Sequence, residues 1–106
     1  MEDTKRANLE AAGWKVGGVD EYLGLTPGEM ALIELKIALA GFLRAERERA
    51  GVTQTELANR IGSSQSRVAK MEAGDPSVSL DLLIRALLAV GASRREVGQA
   101  LARRVA

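Results

Sequence analysis

Four glycines, Gly51, Gly62, Gly74 and Gly91, punctuate the second half of the chain, and each is followed within a few residues by Ser or Thr. Glycine just past a helix supplies the left-handed backbone that ends it, and a hydroxyl before the next segment caps the free N–H groups that begin another. The punctuation therefore restricts this region to a series of short helices with tight joints. Thr53 with Glu56 and Ser93 with Glu96 have capping-box spacing, and Thr26-Pro27-Gly28-Glu29 opens an earlier helix in the same way.

The apolar residues between these signals have helical period. From Pro27 to Ala50, Leu32, Leu35, Leu39, Phe42 and Leu43 trace one face, widened by Ile33 and Ile37. The polar end of that helix, RAERERA, pairs Arg44 with Glu48 at i,i+4, and Gly51 stops it. A second helix, capped by Thr53 and stopped by Gly62, turns Leu57, Ala58 and Ile61 inward. A third, opened by Ser63 or Ser64 and stopped by Gly74, turns Val68 and Met71 inward; Pro76 bars its continuation. Ser79 caps a fourth, where Leu80, Leu83, Ile84, Leu87 and Leu88 form an apolar stripe, and the last turns Val97 and Leu101 inward. No segment has the alternation of a strand. The expected fold is all-α, with five helices over residues 26–106 and an N-terminal arm over residues 1–25. Within the arm, Asp20 could cap a turn over Glu21 to Leu23. Trp14, with Val16 and Val19, reads as a packing anchor on the body or as a partner contact.

Composition removes most enzyme chemistry. The chain of 106 residues has no Cys and no His, so it lacks a thiol nucleophile, a thiolate metal site and the usual general base. Ser63, Ser64 and Ser66 then have no base to activate them and read as caps and hydrogen-bonding groups. Asp75 and Asp81 have no third ligand between them and read as loop or cap residues. No phosphate loop is present. The expectation is a non-enzymatic protein without metal or cofactor. No run reaches the length of a membrane span, and MEDTKRANLE has no apolar signal core, which makes a cytoplasmic location the expectation. Net charge is +1, unevenly spread. Residues 1–50 carry 7 basic and 9 acidic side chains, and residues 51–106 carry 8 and 5, so the halves stand at −2 and +3. The basic half is the one suited to a polyanion.

The stretch GVTQTELANRIGSSQSRVAKMEAG, residues 51–74, places two short helices about a turn at Gly62, Ser63 and Ser64. A small residue at Ala58 lets such helices cross closely, as in a helix-turn-helix. With Ile61, Val68 and Met71 inward, the second helix presents Gln65, Ser66, Arg67 and Lys70 on its other face. Gln matches adenine N6 and N7, Arg matches guanine O6 and N7, and Ser meets either base type. Gln54, at the start of the preceding helix, stands beside free backbone N–H groups that favour a phosphate. A solvated polar face is the alternative reading of the same residues.

At Thr53-Gln54-Thr55-Glu56-Leu57-Ala58, Gly62, Ser64, Ser66, Val68, Glu72 and Gly74 the sequence resembles the Xre/Cro/lambda-repressor family of regulators, over residues 30–98 or so. The chain is also similar to HigA-like antitoxins in its GWKVG, VDEYLGL and SSQSRVAKMEAGDPSVSLDLL segments. The resemblance implies that Gln65, Ser66 and Arg67 read bases, that Gln54, Ser64 and Lys70 hold phosphate, and that Glu72 is structural. It implies a repressor of double-stranded DNA and a cognate toxin as protein partner. A single recognition helix reads only a few base pairs, so a homodimer on a palindromic operator is expected. Leu101, Val105 and the outer face of the last helix are the candidate dimer surface. Arg94, Arg95, Arg103 and Arg104 could meet DNA backbone, a helix dipole, an acidic partner or solvent.

Overall fold

Each helix begins where a hydroxyl can accept a backbone N–H. The computed structural model describes residues 24–103 and contains α1 (Pro27–Arg49), α2 (Gln54–Ile61), α3 (Gln65–Glu72), α4 (Leu80–Ala89) and α5 (Arg94–Ala102). Among the described residues there is no strand, so the expected all-α architecture holds. Thr26, Thr53, Ser64, Ser79 and Ser93 are the N-caps, and the boxes with Glu29, Glu56 and Glu96 are all closed in both directions. Trp14, Val16, Val19, the turn at Asp20, Arg104 and Val105 lie outside the described residues.

The four glycine stops share one geometry. At Gly62, φ is +65°, its N–H is donated to the Asn59 carbonyl at 3.4 Å, and the Ser63 N–H is donated to Ala58 at 2.8 Å. This nested pair satisfies two carbonyls that the helix end leaves without partners, and it needs a left-handed residue that only glycine adopts without strain. The same pair of bonds recurs at Gly51, Gly74 and Gly91.

α1 is the spine. Its core face is Leu39, Ala40 and Leu43, all buried, and α3, α4 and α5 pack along it. α2 lies on α3 and α4. Leu39, Leu43, Leu57, Val68, Met71, Leu83 and Leu87 are the largest fully buried side chains. Burying each removes enough apolar area to stabilise the fold by about 1.5–3 kcal/mol before entropy is counted. Ala58 is 2% exposed on α2, which packs on both α3 and α4.

The apolar stripes are narrower than the sequence suggests. Leu32 is 44% exposed, Ile37 38% and Leu88 49%, while Leu35, Phe42, Ile33, Leu80, Ile84, Ile61 and Leu101 are half-buried. Period shows which residues share a face of a helix and not whether a neighbour packs over each of them: on the same stretch of α1 as exposed Leu32, Met30 is only 3% exposed. The polar end of α1 departs from expectation in the opposite sense. Arg44 and Glu48 do pair at 3.7 Å in solvent, but Glu46 is buried and Arg47 turns inward. The stripe through Leu39 and Leu43, continued by three and four residues, lands on these two.

Candidate nucleic-acid interface

The capped start of α3 fixes which side chains leave the protein. Ser64 accepts the Arg67 N–H at 3.2 Å, and Val68 and Met71 are fully buried against the core. With those two inward, helical geometry turns Gln65, Ser66, Arg67 and Lys70 outward, and all four are exposed. Neither Arg67 nor Lys70 has an ion-pair partner among the described residues. Ser64 keeps its hydroxyl 3.3 Å from that of Ser66, so it is both cap and surface group.

The start of α2 lies beside the start of α3. Gln54 accepts a hydrogen bond at 2.6 Å from Gln65 Nε2 through its own Oε1. Its Nε2 donates to Glu72 Oε1 at 3.1 Å, which leaves Gln54 half-buried. Glu72 in turn accepts from Arg47 Nε at 2.5 Å and Nη2 at 3.0 Å, and Arg47 Nη1 donates to the Val52 carbonyl at 2.8 Å. Four side chains thus form a continuous row from α1 through α3 and α2 to the exposed end of α3. The fork of hydrogen bonds to Glu72 raises the Arg47 pKa above its ordinary value, against the opposing effect of burial.

A groove of about 410 Å³ runs from this face to the loop after α3, lined by Ser64, Ser66, Arg67, Lys70, Ser77 and Val78. Ser77 belongs to this surface although sequence reasoning did not select it. Its hydroxyl and its N–H both donate to Asp75 Oδ1, at 2.7 and 2.8 Å, and these two bonds hold the Asp75 carboxyl below its usual pKa. Asp75 is therefore a turn residue, as its lack of partner ligands suggests. Lys36 of α1 donates to the Pro76 carbonyl at 3.1 Å and ties the loop to the spine. The spacing Asp75-Pro76-Ser77 was the available signal, because Asp two residues before Ser is a turn-forming pattern. Arg47 was the other omission, and its signal was the continuation of the α1 stripe.

The other basic residues behave differently. Arg94 and Arg95 are exposed, whereas Arg103 lies over the Phe42 ring, 5.6 Å from its centroid. No group of three potential metal ligands occurs among the described residues, and none of the described helices is long and apolar enough to cross a membrane.

No curated protein and no solved structure matches the chain. The helix-turn-helix domain family matches residues 38–102, from the middle of α1 to the end of α5. That match covers more than half of the chain, and it encloses both the α2–Gly62–α3 unit and the helices that support it. The chain belongs to the helix-turn-helix domain family.

Proposed function

We propose that this protein is a sequence-specific DNA-binding transcriptional regulator that represses a promoter by occupying it. The observation that carries the reading is the outward strip Gln65, Ser66, Arg67 and Lys70 on a helix whose opposite side is fully buried. Such a helix can enter a major groove with its N-terminal residues toward base edges. Gln65, Ser66 and Arg67 are the base readers. Lys70, Ser64 and the start of α2 at Gln54 meet phosphate, where free N–H groups and the positive end of the helix favour an anion.

One recognition helix covers only a few base pairs. A homodimer on a palindromic operator, with half-sites about 34 Å or a multiple apart, supplies the remaining affinity and specificity. The net −2 of residues 1–50 supports a further role in capturing a basic toxin. Removing residues 1–25 should weaken that capture and leave DNA binding intact.

The test is selection from a random duplex library followed by titration of variants. Gln65→Ala should lose about 1–3 kcal/mol of discrimination at one base pair. Lys70→Ala should weaken all sequences alike and lower the salt slope by about 1. Equal and uniform losses from both variants would contradict the division of roles.

A further inference from the structure

Glu72 lies behind the recognition face, yet it accepts a hydrogen bond from Gln54, which in turn accepts one from Gln65. We infer that Glu72 is a positioning residue that fixes which way round the Gln54 and Gln65 amides point, and so sets base preference at the Gln65 contact. The inference rests on the DNA-binding reading above.

An ionised carboxylate accepts and never donates. The Gln54 group facing Glu72 Oε1 at 3.1 Å must therefore be its NH₂. That orientation turns Gln54 Oε1 toward α3, where it accepts from Gln65 Nε2 at 2.6 Å. Gln65 has then committed one of its two N–H groups and keeps its Oε1 and the other N–H. One acceptor beside one donor complements adenine, which offers N7 as acceptor and N6 as donor. Guanine offers two acceptors, N7 and O6, and asks for two donors where Gln65 has one left. An amide without the carboxylate behind it could turn over, and the preference would follow it.

Arg47 holds the carboxylate in this role. Its Nε and Nη2 occupy Glu72 from the α1 side, and Nη1 is fixed on the Val52 carbonyl. The Glu72 side chain is 4% exposed, so water has little access to replace either partner. The start of α3 thus inherits a donor–acceptor polarity from a residue two helical turns away.

The experiment is selection from a random-sequence duplex library with wild type, Gln65→Ala, Glu72→Gln and the double variant Arg47→Met/Glu72→Leu. The position at which Gln65→Ala loses preference identifies the Gln65 contact. Thermal unfolding checks that each variant is folded, and the double variant leaves no unpaired charge that would compromise folding. At the Gln65 position wild type should choose adenine. Both Glu72 variants should lower that preference by about tenfold while the other positions and the salt slope stay as in wild type. Adenine preference retained in the folded double variant overturns the inference, as does an equal loss at every position, which is the mark of a merely structural residue. A wild type that selects no sequence overturns the DNA-binding reading itself, and this inference with it.

Discussion

Replacing Arg47 by Met tests whether the row of side chains behind α3 is a coupled unit. Arg47 gives up three hydrogen bonds, two to Glu72 and one to the Val52 carbonyl. Its side chain is 13% exposed and that of Glu72 is 4% exposed, so the carboxylate left behind is largely shielded from water. Removing one partner of a buried pair costs about 3–5 kcal/mol, because the other charge remains without compensation. Glu72 retains the Gln54 donor, which places Arg47→Met near the lower end, about 3 kcal/mol. For a domain of this size that lowers the melting temperature by roughly 12–24 °C. Glu72→Leu should cost a similar amount, since it strands the guanidinium. Arg47→Met combined with Glu72→Leu should cost only about 1–2 kcal/mol, because no charge is stranded and the chief loss is the donor to Val52. The assay is thermal unfolding by circular dichroism on all four proteins, read as a double-mutant cycle. A double variant whose loss equals the sum of the singles to within about 0.5 kcal/mol would show no coupling and refute the reasoning.

Gly62→Ala should destabilise the domain by about 1–2 kcal/mol, through backbone strain alone. Its φ is +65° and nothing lies within 4 Å of the added Cβ, so Gly62→Asn should recover part of the loss in urea titrations. Acid should loosen the starts of α2 and α5 together. The Thr53 N–H, and then the Thr53 side chain, hold the Glu56 carboxyl below its ordinary 4.5, and the Ser93 N–H and side chain do the same for Glu96. A depressed folded pKa contributes stability that is present above 4.5 and is lost as pH falls through the folded value. Denaturant midpoints should therefore fall below pH 4.5, and Glu56→Gln/Glu96→Gln should flatten that part of the profile. A variant profile identical to that of wild type would count against the capping carboxylates as its source.

Helix boundaries were legible because they are written in local chemistry. A Thr or Ser hydroxyl caps the N–H groups three residues away, and a glycine with positive φ closes each of the first four helices, so Thr53 to Gly62 and Ser64 to Gly74 could be read without knowing the fold. Burial was less legible, because period shows which residues share a face and not how far a neighbour extends along it. Leu32 and Leu88 have core spacing and stay exposed, while Met30, near Leu32 on α1, is buried. The outward strip on α3 followed from Val68 and Met71 being inward. Its support did not follow, because Arg47 and Glu72 stand 25 positions apart and a pairing at that distance leaves no local pattern. Ser77 was missed for a related reason. Its place beside Ser66 and Lys70 depends on how the loop after α3 returns to α1 through Lys36 and Pro76.

The central claim is that the face of α3 opposite the core meets duplex DNA. Backbone amide shifts of the labelled protein, followed during titration with its selected duplex, test it residue by residue. The account predicts that shifts concentrate at Gln54 and from Ser64 through Lys70, extend to Ser77, and spare the outer side of α5 around Arg94 and Arg95. Shifts confined to α5 and the exposed length of α1, with Gln65 to Lys70 unmoved, would contradict it.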